Sequence, residues 1–247
     1  MNRIVYVNGA YMPEQEATVS IFDRGFLMAD GVYEVTSVLQ GKLIDFEGHA
    51  QRLKRSLDAL DMAMPMPIDE LLGVHRELVA RNGIEEGMIY LQVTRGSAGD
   101  RDFAFPDPEE TPVTLVMFTQ NKPGLADSPA AKTGIKVISI DDIRWGHRDI
   151  KTVQLLYPSM GKMMAKKAGA DDAWMFDNDN NITEGSSNNA YIITDDGKLV
   201  TRHLSKAILH GITRVSVLKL IEQSDLELEE RPFSIAEAEA AQEAFCS

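Results

Sequence analysis

The sequence predicts an α+β / α/β protein of two domains, a hairpin-rich N-terminal α+β domain followed by a C-terminal domain of sheet and helix. Three observations carry this prediction. Apolar runs joined by Asn-Gly and Gln-Gly pairs open the chain, as antiparallel hairpins do. Stretches of helical spacing then interrupt the strand-like runs. Finally, "NKPGLADSPAAKTG", residues 121–134, is rich in Pro, Gly, Ala and Ser and separates the two halves as a linker would.

The elements follow in order. "IVYV", Asn8-Gly9 and "AYM" form a first hairpin, because a type I′ turn needs positive φ at both central positions, which Asn and Gly tolerate. "YEVTSVLQGKLIDF" repeats the pattern around Gln40-Gly41. "HAQRLKRSLDAL" places Leu53, Leu57 and Leu60 on one helical face, and "IDELLGVHRELVARNG" is a second helix that Asn82-Gly83 can stop. "MIYLQVTRG" and "TPVTLVMFTQ" are strands, completing an α+β domain over residues 1–120. Residues 135–247 hold a strand at "IKVISI", a helix across 159–168, a strand at "AWMF", the segment "ITEGSSNNAYIIT", a helix opened by Gly211 and a strand at "LELEERPF". "SIAEAEAAQEAF" begins with Ser234 and Glu237 at capping-box spacing and reads as a last helix.

Composition narrows the function classes. A chain of 247 residues, 44% hydrophobic and 26% charged, can build its core without disulfide or metal staples. Its one cysteine, Cys246, excludes an internal disulfide framework and fits a reducing compartment, so a cytoplasmic location is expected. "MNRIVYVNGAYMPEQ" lacks the apolar core of a signal peptide, and no apolar run approaches the ~20 residues of a membrane span. A net charge of −13 argues against nucleic acid or an anionic membrane as partner. There is no G-x-G-x-x-G, P-loop, H-E-x-x-H or G-x-S-x-G motif, and the histidines at 49, 75, 147, 203 and 210 show no metal-ligand spacing.

Three segments remain for chemistry. In "RWGHRDIKTVQLLYPSM", Lys151 enters an apolar run behind Arg144, His147 and Arg148. On its own this also fits a lysine with a buried stem and a wet head. "TEGSSNNA", 183–190, sets a carboxylate, two hydroxyls and two amides before an apolar strand, although such residues also decorate ordinary turns. "HGITR", 210–214, opens a helix after a glycine and offers backbone N–H groups to a phosphate. Taken together they describe one need. A lysine can join an aldehyde as a Schiff base, a carboxylate can keep a pyridine nitrogen protonated, and a helix N-terminus with an arginine can bind phosphate.

"RDIKT", "ITEGSSNNAYI" and "LHGITR", in this order, resemble the fold type IV (class IV) pyridoxal-phosphate aminotransferases, and "DRGFLMADGVYEV" and "HAQRLKRSL" look like that family's early motifs. The resemblance covers roughly residues 4–246. It implies pyridoxal 5′-phosphate as cofactor, residues 135–247 as the cofactor-binding domain, amino-acid and 2-oxo-acid substrates, and a homodimer. By motif, Lys151 matches the Schiff-base lysine and proton shuttle, held in place by the apolar run behind it, and Glu184 matches the partner of the pyridine nitrogen. Arg52, in H-x-x-R-L with His49, matches the arginine on the cofactor phosphate, and Ile212 and Thr213 match further phosphate contacts. Leu204 matches the residue packed on the ring, Ser187 and Asn188 fall in the cofactor wall, and Arg144 matches an arginine just behind the site. Family members normally continue past "EAFCS" into another phosphate-binding segment, a strand and a helix, which these 247 residues do not include.

Within the family the chain looks most like the D-amino-acid transaminases. Tyr33 and Arg101 fall where those enzymes hold the substrate's α-carboxylate, and a guanidinium fork suits that anion. Phe103 stands where the usual pattern has a histidine, so one carboxylate donor is replaced by an apolar ring. The same motifs leave open a branched-chain L-aminotransferase, an (R)-amine transaminase, and a non-catalytic relative of the same fold.

Overall fold

The structure is a computed structural model and describes residues 3–247. The chain divides into two compact units. The first runs through Ala131 and adds Ile150–Gln154; the second comprises Lys132–Asp149 and Leu155–Ser247.

In the first unit, β1 (Ile4–Val7) and β2 (Ala10–Pro13) form the first hairpin, its turn made by Asn8 at φ 46° and Gly9 at φ 96°. A short helix α1 (Arg24–Met28) precedes β3 (Gly31–Leu39), which turns at Gln40 and Gly41 into β4 (Lys42–Leu43). Then come α2 (Phe46–Asp58), α3 (Ile68–Asn82), β5 (Glu86–Thr94) and β6 (Thr114–Asn121). The strands make one antiparallel sheet in the order β2-β1-β6-β5-β3-β4. Its inner face supplies Val32, Val38, Ile89, Leu91, Val93, Leu115 and Met117 to a core closed by Leu53 and Leu57 of α2 and Leu71 and Leu78 of α3. The two-residue alternation puts Glu34 on that inner face, buried to 2% exposure. The outer face carries Tyr33, Tyr90 and Phe118, stacked at 5.6 and 4.9 Å.

His75 of α3 is 2% exposed, with Nδ1 2.8 Å from the Leu71 carbonyl oxygen and its ring edge against Phe46. Burial pushes its pKa down from 6.5 to about 4. It therefore stays neutral in the fold while the unfolded chain takes up a proton below pH 6.5. Stability is intact above that pH and falls as acid is added, by about 2 kcal/mol at about pH 5. Urea unfolding at about pH 7.5 and about pH 5 should show this loss in the wild type. His75→Leu should shrink it, and an equal loss in both proteins would assign it elsewhere.

The second unit contains β7 (Val137–Asp141), α5 (Leu156–Lys167), β8 (Asp172–Phe176), β9 (Ile182–Gly185), β10 (Ala190–Ile193), β11 (Lys198–Thr201), α6 (Ile212–Ile221), β12 (Glu227–Glu230), α7 (Ile235–Ala240) and β13 (Glu243–Cys246). A helical turn, α4 (Ala130–Thr133), spans the boundary between the units. One sheet runs β7-β8-β9 and the other β12-β11-β10-β13. Trp174, Ile182, Ala190, Ile192, Val200 and Phe233 form the core of this unit.

Several element boundaries differ from the sequence expectation. The helix expected at 159–168 begins at Leu156. The Ser234–Glu237 capping box forms, yet its helix ends at Ala240 and "EAFC" becomes β13. Pairing with the edge of β10 wins there, because it satisfies a row of backbone groups and stacks Phe245 on Tyr191 at 4.8 Å. Within the expected linker, Asn121 ends β6 and 130–133 is the turn α4.

Candidate active site

Lys151 sits in the short extended segment that the first unit adds from later in the chain. Its carbonyl accepts the Tyr33 N–H at 3.0 Å, and the Val153 N–H donates to the Gly31 carbonyl at 3.0 Å. Ile150 and Thr152, on either side, are both 8% exposed. Lys151 points the other way: Nζ lies 3.3 Å from the Tyr33 hydroxyl and 4.4 Å from the centre of its ring. This corrects the expectation that the following apolar run secures the lysine. Leu155 and Leu156 are 37% and 76% exposed. Backbone pairing with β3 holds Lys151 instead, which fixes the main chain and turns the amine toward Tyr33.

On the same unit, Arg52 of α2 meets the inward-facing Glu34. Nε and Nη2 each donate to one carboxylate oxygen at 2.7 Å. His49 Nδ1 lies 2.8 Å from the same carboxylate. Burial pushes the Glu34 carboxyl up, but the bonds from Arg52 and His49 outweigh it and hold it below its ordinary value. Arg52 and His49 were visible as a motif, whereas Glu34 was missed. Its signal was a carboxylate at an inward position of an alternating strand, which requires a buried cationic partner.

In the second unit Glu184, on β9, is 4% exposed. It accepts from Arg144 Nη1 at 2.7 Å, the Leu209 N–H at 2.9 Å and Asn189 Nδ2 at 3.1 Å. Burial pushes its carboxyl above the ordinary range, and the Arg144 guanidinium pulls the other way. Arg144 is also gripped by Asp142 through Nε at 2.9 Å and Nη2 at 2.7 Å, and Asp142 accepts from the Thr183 hydroxyl at 2.6 Å. Asn189 escaped sequence reasoning, which chose its neighbours. Ser187 is exposed, and Asn188 donates to Asp172 at 2.8 Å rather than to Glu184. Asn189 also packs its Oδ1 where a Cβ on Gly211 would stand, 2.1 Å away, so this position requires glycine.

Gly211 is the N-cap of α6, and no side chain caps the helix there. Ile212 and Thr213 open its first turn, with Thr213 exposed. Leu204 is 47% exposed. Arg101 and Phe103 lie in the loop between β5 and β6, the Arg101 guanidinium 4.7 Å from the Phe103 ring centre, and both side chains are exposed. Among the described residues no group of His, Cys, Asp and Glu has the geometry of a metal site, and no helix is long and apolar enough to cross a membrane.

A model of the Amino-transferase class IV family matches residues 31–247. The chain belongs to that family. Among the relatives of this class IV aminotransferase, the D-alanine aminotransferase of Staphylococcus aureus (strain MSSA476) is 36% identical over 94% of this chain and 80% of its own length. That of Staphylococcus haemolyticus is 35% identical over 98% of this chain and 84% of its own. The branched-chain aminotransferase of Escherichia coli shares the fold at a TM-score of 0.87 and 20% identity, over all of this chain and 83% of its own. The branched-chain aminotransferase of Thermoproteus uzoniensis, solved with norvaline, superposes at 0.86 with 23% identity, over all of this chain and 84% of its own.

Proposed function

We propose that this class IV aminotransferase uses pyridoxal 5′-phosphate to transfer the amino group of a D-amino acid to a 2-oxo acid. The observation that carries the reading is a lysine amine held at a tyrosine hydroxyl, in a chain 36% identical to a D-alanine aminotransferase. The donor set fits the cofactor. Lys151 offers a primary amine for its aldehyde, Glu184 a buried carboxylate for its pyridine nitrogen, and the N-terminus of α6 backbone N–H groups for its phosphate. When bound, the cofactor supplies an electron-withdrawing ring that acidifies the α-hydrogen of the amino acid.

The chain's own groups do the rest. Lys151 Nζ would take the α-proton and give it back from the same side, with the Tyr33 hydroxyl fixing where the amine stands. Glu184 accepts a hydrogen bond from the ring nitrogen. Arg144, Asn189 and the Leu209 N–H donate to its oxygens and offset part of the cost of burial. Arg52 and the first turn of α6, at Ile212 and Thr213, hold the phosphate, and Glu34 orients the Arg52 fork. Leu204, Ser187 and Asn188 bound the ring. Arg101 and Tyr33 take the substrate carboxylate, with Phe103 as the surface on which Arg101 rests. A homodimer in the cytoplasm completes the reading, supported by the family and by the single cysteine.

Handedness is the test. With the amine and the carboxylate donors fixed, only one enantiomer presents its α-hydrogen to Lys151 while its carboxylate reaches Arg101. The kcat/KM for D-alanine should exceed that for L-leucine. Arg101→Ala should lower the D-alanine value about 10–150-fold, the worth of a charge-assisted hydrogen bond. (R)-1-phenylethylamine, which has no carboxylate, should be little affected. Phe103, an apolar ring where a donor is usual, favours some turnover of that amine by the wild type. If L-leucine is the best of the three, the branched-chain reading replaces this one.

A further inference from the structure

Arg24, at the start of α1, is 6% exposed and reaches from the body of the first unit into the loop that carries Arg101. Its Nη1 donates to the Asp102 carbonyl at 2.6 Å and to the Ala104 carbonyl at 3.2 Å. Its Nε donates to Asp30 Oδ2 at 2.7 Å. The same oxygen accepts from Arg95 Nε at 2.9 Å, and Arg95 is anchored in turn by the Leu60 carbonyl at 2.7 Å. Two buried guanidiniums thus share one carboxylate. Their faces meet Phe105, whose ring centre lies 3.6 Å from the Arg95 guanidinium and 5.6 Å from that of Arg24.

Phe105 is 59% exposed, so burial of its ring does not explain why it stays there. Attraction between a π face and desolvated cations does. The clamped atoms, Asp102 O, Ala104 O and the Phe105 ring, follow Arg101 directly in the chain. Arg101 itself is exposed, its guanidinium 4.7 Å from the Phe103 ring centre. The clamp that follows it therefore holds the main chain from which Arg101 projects.

We propose that Arg24 and Phe105 are positioning residues that hold the loop bearing Arg101 and so set the enzyme's affinity for the substrate carboxylate. This rests on the reading that Arg101 binds that carboxylate. It adds a requirement for an aromatic face at 105 and for a planar fork at 24, since a lysine can pair with Asp30 but cannot also donate to both carbonyls in this geometry.

The test uses the holoenzyme. Trypsin cleavage after Arg101, mapped by mass spectrometry, reports loop order independently of catalysis. Kinetics with D-alanine and (R)-1-phenylethylamine report function. Phe105→Leu keeps apolar bulk but removes the π face. It should speed cleavage and raise KM for D-alanine, each about 2–30-fold as the loss of a cation–π contact implies, with kcat and amine turnover near wild type. Phe105→Trp should restore both, and Arg24→Lys should behave like Phe105→Leu. If Arg24→Lys does not fold, Phe105→Leu decides alone, since its site is on the surface. Unchanged cleavage in Phe105→Leu overturns the proposal. So does faster cleavage with a wild-type KM for D-alanine, provided Arg101→Ala raises it. If Arg101→Ala leaves D-alanine kinetics unchanged, the carboxylate reading fails instead, and cleavage still decides the clamp.

Discussion

Lys151→Ala loses transamination by more than the about 10²–10⁴-fold that a positioned proton-transfer group contributes, because the cofactor's covalent anchor disappears with it. The fold should be unaffected. The segment is tied down through main-chain bonds to β3, with the Tyr33 N–H on the Lys151 carbonyl, and those survive truncation of the side chain. Thermal unfolding close to wild type, with no turnover, is thus the expected pair of results. Borohydride reduction of the wild-type holoenzyme followed by peptide mapping checks the assignment directly. The label belongs on Lys151, and finding it on Lys162, Lys166 or Lys167 instead would refute the assignment. Lys162 is already committed to an ion pair with Asp172 at 2.8 Å.

Glu184→Gln slows removal of the α-proton by about 10–150-fold, the factor equivalent to a hydrogen bond with an ionised group. The amide keeps the size of the side chain and can still accept from Asn189 and the Leu209 N–H, so the local structure persists. What it lacks is the negative charge that keeps a pyridine nitrogen protonated. Breaking a buried ion pair normally strands its partner at a cost of about 3–5 kcal/mol. Here Arg144 retains Asp142, which grips it at 2.7 and 2.9 Å, and the variant should remain folded. Single-turnover absorbance with D-alanine measures the step. A wild-type rate would reduce Glu184 to a structural partner of Arg144.

The two variants probe residues that the sequence marked in different ways. Lys151 stood out because a cation entered an apolar run, yet the reason for its placement proved to be strand pairing and not that run. Glu184 stood out because a carboxylate headed a polar cluster. The amide that grips it, Asn189, was hidden beside two others of equal local merit. Only the fold distinguishes them, since Asn188 turns to Asp172 and Asn189 to Glu184.

The sequence by itself determined the α+β class, the hairpins at Asn8-Gly9 and Gln40-Gly41 and the capping box at Ser234, and it marked Arg52, Lys151, Glu184 and Thr213 as candidates. Each depends on chemistry within a few residues: a turn that needs positive φ, a cap three positions from its partner, a cluster around one carboxylate. Tertiary structure alone decided that Glu34 orients Arg52, that the Leu209 N–H and Asn189 steady Glu184, that "EAFC" is a strand and that Arg24 reaches the Arg101 loop. These choices pair groups far apart in the chain. Arg24 and Ala104, for example, are 80 positions apart. Such a partner is selected by which faces the packed core brings within hydrogen-bond reach, a condition that no local pattern of residues contains.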